Sequence, residues 1–191
     1  MVVEDCVKNA APTSPLARIS WVLLHLYIWV LSAVLLGAFW VQFVWGEAPC
    51  TLCLLQRMCM ILATLGPVWV LASPRRSEAE AWQNLSRGFG ISILASGLGL
   101  LISARQVLMH IAPDDAGFGA PLWGYHLYTW AFLIFVVIIL VSGTTLVFAG
   151  RLLPAPASRQ GHWLTKTTFF LFGGILLANI VLVYLSTINV L

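Results

Sequence analysis

Five apolar runs, each long enough to cross a hydrocarbon core as a helix, limit what this chain can fold into. They lie near Ile19–Val44, Thr51–Ala72, Gly88–Met109, Leu122–Ala149 and Thr167–Ile188, against a requirement of about 20 residues per span. In lipid every backbone N–H and C=O must be satisfied within the protein, so the runs are expected as helices and the fold class as all-α. Composition points the same way: 60% of residues are hydrophobic and only 9% charged, giving a mean hydropathy of +0.93. The expected solvent is a lipid bilayer. A net charge of +3 does not argue for nucleic acid as a partner, because the basic residues sit in short clusters between the apolar runs.

Those clusters predict a topology. Lys8 and Arg18 precede the first run, Arg75, Arg76 and Arg87 follow the second, and Arg151, Arg159 and Lys166 follow the fourth, which makes eight of the ten basic residues. Arg57 and Arg105 lie inside or at the ends of helices. By the positive-inside rule the N-terminus is cytoplasmic and the C-terminus lies outside. The first run is too long for a signal-peptide core and follows a polar tail, so it is expected as a retained helix. The expected organisation is a cytoplasmic tail over 1–18, a four-helix membrane bundle over 19–149, a cytoplasmic loop over 150–166 and a fifth transmembrane helix over 167–191. Trp40, Trp45, Trp123, Tyr125, Tyr128 and Trp130 mark the outer interface, and Trp21, Trp69 and Trp163 the inner one. Ser92, Ser96, Gly97, Gly99 and Ser103 in the third run, with Gly173, Gly174 and Ala178 in the fifth, are expected to let helices approach closely.

Chemistry concentrates at one place. Of the four cysteines, Cys6, Cys50, Cys53 and Cys59, only Cys50 and Cys53 have C-x-x-C spacing. In Glu47-Ala48-Pro49-Cys50-Thr51-Leu52-Cys53, proline suits the first helical position, so both cysteines are expected in the first turns of the second helix. Unpaired N–H groups and the positive end of the dipole there favour a thiolate. The predicted topology puts the pair on the oxidising side, where disulfides persist. Buried inert cysteines or a soft-metal site are the alternatives. Two cysteines are too few for a closed zinc site, although Glu47, His110, Asp114, Asp115 and His126 lie on the same side and leave a composite site open. Cys59 falls about 240° around the helix from Cys53, at 100° per residue, and reads as core.

Gln56 and Arg57 lie three and four residues beyond Cys53, on its face and one turn deeper, and both are candidates for holding a quinone. A guanidinium there either snorkels to the interface or, below a C-x-x-C, holds a quinone carbonyl and stabilises the charge that develops when a thiolate attacks the ring. His126, expected one turn inside the fourth helix, is either an interfacial histidine or a source of protons for a reduced quinone. His25 and His162 do not make a convincing pair of haem ligands.

The stretch Pro49-Cys50-Thr51-Leu52-Cys53-Leu54-Leu55-Gln56-Arg57 resembles the P-C-x-x-C-x-x-x-R signature of the disulfide bond formation protein B (DsbB) family, over roughly residues 18–149. The resemblance implies a four-helix bundle in the bacterial inner membrane. It also implies that Cys50 exchanges with an incoming thiol, that Cys53 engages ubiquinone or menaquinone, and that Arg57 binds the quinone. The thiol donor it implies is a periplasmic thioredoxin-fold, DsbA-like protein. The chain departs from the family pattern in lacking the second periplasmic cysteine pair, in the short segment His110–Trp123, and in the fifth helix. Cys6 cannot replace that pair from across about 30 Å of hydrocarbon. Gly124-Tyr125-His126-Leu127-Tyr128-Thr129-Trp130 resembles a short-loop subgroup. Two functions follow as expectations: a thiol-oxidising, quinone-reducing membrane enzyme, or a non-catalytic membrane subunit that has kept the bundle.

Overall fold

The computed structural model describes residues 15–44, 46, 50–73, 77–111, 117, 119, 121–149 and 161–188, with residues 15–17, 161–162 and 185–188 given by their backbone alone. Cys6, Trp45, Glu47, Pro49, Arg75, Arg76, Asp114, Asp115, Arg151 and Arg159 lie outside the described residues. Among the described residues five helices appear: α1 (Pro15–Val44), α2 (Thr51–Ala72), α3 (Glu78–Met109), α4 (Leu127–Val147) and α5 (Gly161–Ile188). All five are long and apolar enough to cross a membrane. Among the described residues there is no strand, only an isolated bridge between Leu122 and Tyr125. The protein is an all-helical, multi-pass membrane protein.

The distribution of side chains on α3 shows its solvent. Gly88, Ser92, Ala95, Ser96, Gly99, Ser103 and Gln106 are buried, whereas Ile91, Leu94, Leu98, Leu101 and Leu108 are exposed. Small and polar residues thus face inward and large apolar ones outward, the reverse of a helix on a water-soluble core and the normal arrangement in lipid.

Helix boundaries depart from the apolar runs where local chemistry overrides hydropathy. The third helix begins at Glu78, ten residues before Gly88, because Ser77 caps it by accepting from Glu80 N–H at 3.2 Å. Ser77 and Glu80 have the S-x-x-E spacing of a capping box, and the added turns bury Leu85. The fourth helix starts at Leu127 rather than Leu122. Leu122 and Tyr125 instead exchange backbone hydrogen bonds of 2.8 and 3.2 Å around Trp123 and Gly124, whose φ angles are 53° and 84°. Paired left-handed residues make a tight reversal, and Gly124 accepts that conformation without steric cost. The indole of Trp130 closes the reversal by donating to Leu122 C=O at 3.1 Å. Pro15 opens α1, a position that its missing N–H suits. The fifth helix begins at Gly161, before Thr167, because it continues beyond its apolar stretch.

The packing centres on α2 and α3. Gly66 and Gly88 face each other so closely that a Cβ on Gly66 would collide with the Gly88 carbonyl oxygen, and one on Gly88 would lie 2.6 Å from the Gly66 carbonyl oxygen. Pro67 follows inside α2 and, having no N–H, releases the Ala63 carbonyl four residues back. Ser92 on α3 donates to that carbonyl at 2.6 Å, so a proline is accommodated at membrane depth by the neighbouring helix. Gly99 opens room for the Phe135 ring of α4. Helix α1 packs on α2 and α5, and α5 also touches α2.

Helices α1 and α4 do not come into backbone contact. Tyr27 Oη and Ser142 Oγ bridge them at 3.3 Å, and beside that bridge lies a cavity of about 530 Å³ lined by residues such as Leu31, Val34, Phe89, Trp130 and Ile134. Two expectations from the sequence are corrected. Gly173, Gly174 and Ala178 face outward on α5 and Gly97 on α3 has nothing within 4 Å of where a Cβ would stand, so these residues make no close helix approach. Tyr128 is buried at 4% exposure instead of joining the interfacial belt with Trp123 and Tyr125.

Candidate functional site

Cys50 caps α2 and therefore lies just outside it, rather than within its first turn. Its backbone is extended, and its Sγ accepts from Cys53 N–H at 3.1 Å. A sulfur in that role satisfies one of the unpaired N–H groups that every helix start presents. Cys53 lies one turn on, and both thiols are free and half-buried. Cys59 is buried within the main apolar cluster, as its helical position predicted.

Gln56 and Arg57 lie where the spacing placed them, both buried. Arg57 reaches toward α1: one guanidinium nitrogen donates to Gln42 Oε1 at 2.6 Å and the other to Ala38 C=O at 3.0 Å. Its carbon stands 5.3 Å from the centre of the Phe39 ring, within cation–π range. It therefore does not snorkel away, being held at 8% exposure. Among the described residues it pairs with no carboxylate. A buried cation with neutral partners on two sides and N–H groups to spare is suited to a polar, electron-rich ligand group.

A residue that the sequence reading did not select completes the cluster. Gln106, from the last turn of α3 and only 2% exposed, points its side-chain nitrogen at both sulfurs, 3.4 Å from Cys50 Sγ and 3.7 Å from Cys53 Sγ. Its Oε1 accepts from Gln56 Nε2 at 2.9 Å. The signal was present, since Gln106 continues the inward stripe of Ser92, Ser96, Gly99 and Ser103 at alternating steps of four and three.

His126 is not gathered into this group. It is the N-cap residue of α4, makes no side-chain cap bond, and its Nδ1 lies 3.0 Å from Gly119 C=O. Its ring stacks on Tyr128 at 5.3 Å, and His110 stacks on the same tyrosine at 5.5 Å. Of the five side chains considered for a composite metal site, His110 and His126 thus sit in an aromatic column, and the other three lie outside the described residues. His25 is engaged elsewhere, its Nδ1 2.9 Å from Trp21 C=O and its Nε2 3.4 Å from Thr165 Oγ1.

The profile of the family described as disulfide bond formation protein DsbB matches residues 18–118, which contain the whole cysteine, glutamine and arginine cluster. This chain belongs to the DsbB family. Two relatives bear the description disulfide bond formation protein B. That of Chromohalobacter salexigens is 34% identical over 89 residues, covering 45% of this chain and 48% of its own length. That of Neisseria gonorrhoeae is 34% identical over 109 residues, covering 54% and 64%. The chain therefore spans about half the length of the first DsbB relative and just under two thirds of the second. No solved structure matches.

Proposed function

We propose that this DsbB-family protein is a membrane thiol:quinone oxidoreductase of the bacterial inner membrane that supports disulfide formation. The observation that carries the reading is the placement of a buried guanidinium, Arg57, without a carboxylate partner among the described residues, one helical turn below a C-x-x-C pair. The cysteine end of the bundle faces the periplasm, with the N-terminus cytoplasmic and the C-terminus periplasmic. Arg151, Arg159 and Lys166 support that orientation by position, and a C-terminal reporter active only in the cytoplasm would overturn it.

A periplasmic thioredoxin-fold, DsbA-like dithiol attacks the Cys50–Cys53 disulfide at Cys50 Sγ, the helix-capping sulfur. The donor becomes a disulfide and the pair two thiols. Ubiquinone or menaquinone, when bound, takes the two electrons and two protons that restore the Cys50–Cys53 disulfide. Two features fit such a ligand: the N–H groups of Arg57 for a carbonyl, and Cys53 on the same face. Gln56 steadies the site through Gln106. His126 at the rim is assigned to proton supply, imidazole being able to give and regain protons near neutral pH. With no second cysteine pair in the sequence to relay electrons, the donor docks directly at Cys50.

The test is steady-state quinol formation by purified protein supplied with a reduced thioredoxin-fold donor. Turnover is expected in the wild type and none in Cys50→Ala or Cys53→Ala. Cys53→Ala, given instead a donor that lacks its own resolving cysteine and carries an activated disulfide with thionitrobenzoate, should form a lasting Cys50–donor disulfide as Cys50 displaces the small thiol, because no second thiol remains on either protein to break it. No turnover with any dithiol donor, and no trapped donor, would replace this reading with that of a non-catalytic subunit.

A further inference from the structure

One amide nitrogen with two N–H groups faces two sulfurs, and its orientation is set from behind. Gln106 Nε2 lies 3.4 Å from Cys50 Sγ and 3.7 Å from Cys53 Sγ, both reasonable lengths for donation to a large, soft acceptor. The carbonyl end of the same amide accepts from Gln56 Nε2 at 2.9 Å. Gln56 belongs to α2, the helix that carries the cysteines, and Gln106 to α3, so the contact crosses the tightest helix seam in the molecule. With its oxygen engaged by Gln56, the Gln106 amide cannot flip without losing that bond and turning an acceptor toward the sulfurs. Both glutamines are buried, at 4% and 2% exposure, and a buried amide is retained at a cost unless its groups are paired.

We propose that Gln106 is a further catalytic residue, one that touches both reacting sulfurs and sets the redox poise of the Cys50–Cys53 pair, with Gln56 as the residue that positions it. This rests on the reading of the pair as redox-active. A hydrogen bond to a charged acceptor is roughly twice as strong as one between neutral groups. Donation from Gln106 therefore favours the thiolate form of the reduced pair over the disulfide, in which neither sulfur can carry charge. A pair whose reduced form is stabilised is a stronger oxidant. The symmetrical reach of the amide adds a second property. When a donor thiol attacks Cys50, the S–S bond breaks, the electron pair leaves on Cys53 Sγ, and a new S–S bond joins Cys50 to the donor. The same amide group receives the displaced Cys53 thiolate. When Cys53 then attacks Cys50 or passes its electrons onward, the other N–H stays in range of Cys50.

The experiment uses the full chain in detergent, equilibrated anaerobically with glutathione buffers of graded ratio, with the reduced and oxidised fractions of the pair counted by alkylation. No quinone or protein donor is needed. Gln106→Met, similar in length but without a donor, should shift the exchange equilibrium toward the disulfide by about tenfold, equal to about 30 mV toward more negative potential. Gln56→Met should shift it in the same direction by less. It should also slow alkylation of the reduced pair, because the positioned amide is loosened. Equal equilibrium constants in the wild type and in a folded Gln106→Met protein would overturn the proposal. Should Gln106→Met fail to fold, Gln56→Met decides: a shift toward the disulfide supports the role and an unchanged constant overturns it. A wild-type pair that does not exchange with glutathione at any ratio would remove the redox reading itself, a result distinct from an unchanged variant.

Discussion

The seam between α2 and α3 and the face of α5 both carry glycines, and they use them for opposite ends. Gly66 and Gly88 meet backbone to backbone with no room for a methyl group. Gly173 and Gly174 have nothing within 4 Å of where a Cβ would stand. The first pair lets α2 and α3 close so that Ser92 satisfies the carbonyl that Pro67 leaves open, and Gln106 meets the sulfurs farther along the same seam. The second pair faces outward. A small residue in a membrane helix therefore signals close packing only when the surrounding stripe is also inward-facing, and the two regions behave differently when tested.

Gly66→Ala and Gly88→Ala should have the largest effect. Each places a Cβ against main-chain atoms of the facing helix, which cannot move aside as a flexible side chain would, so a loss at the upper end of about 1–3 kcal/mol is expected. Thermal unfolding in detergent should show it. A pair of alanine variants as stable as the wild type would break the contrast between the two regions.

Arg57→Met comes next and separates the site from the fold. The methionine keeps the packing against Phe39 and loses the hydrogen bonds to Gln42 and Ala38. A hydrogen bond from a charged group to the quinone carbonyl contributes about 1.5–3 kcal/mol, so quinone affinity should fall about ten- to a hundredfold, while the melting temperature stays close to that of the wild type because loss of the two internal bonds is offset by removal of a buried charge. Titration of quinone against the purified protein checks this, and superimposable binding curves would remove Arg57 from the site.

These two sets of residues were unequally legible in the sequence. The Cys53, Gln56 and Arg57 cluster could be read because it lies within one turn of one helix, where spacing alone fixes which side chains share a face. Cys59 followed from the same rule. Gln106 was not selected, because its partners lie 50 to 56 positions away and only the register of two packed helices brings them together. The five helices were legible from hydropathy. So were both ends of α2 and the last residues of α1, α3 and α5; the starts of α3 and α4 were not, because Ser77 capping and the Trp123-Gly124 reversal are local hydrogen-bond chemistry that hydropathy does not register. The outward face of Gly173 and Gly174 was misread because residue size was taken without residue direction.

His126→Phe should have a smaller effect than either. Its ring stacks on Tyr128 and its nitrogen bonds the Gly119 carbonyl, apart from the sulfurs and Arg57. Phenylalanine keeps the stack and removes the proton carrier. A slowing of quinone reduction by about an order of magnitude at most is expected for one of several proton routes, with thiol exchange at Cys50 unaltered. Equal turnover across a range of pH would leave His126 with the stacking role alone. Gly173→Ala and Gly174→Ala should have the smallest effect: neutral, or stabilising by up to about 1 kcal/mol through helix propensity. A marked loss of stability in either would place an unrecognised neighbour on the outward face of α5 and close the gap between the two regions.

The central claim, that the Cys50–Cys53 pair exchanges electrons with a quinone in this bundle, is tested most directly by a single turnover without any thiol donor. Protein reduced beforehand and freed of reductant is mixed anaerobically with one equivalent of ubiquinone, and separately menaquinone, while quinol is followed by absorbance and free thiols by alkylation. For at least one of the two quinones, two thiols should disappear at Cys50 and Cys53 for each quinol formed, with Cys59 remaining free, and neither change should occur in Cys53→Ala. Quinone left oxidised beside a fully reduced, folded Cys50–Cys53 pair, with both quinones, would contradict the account.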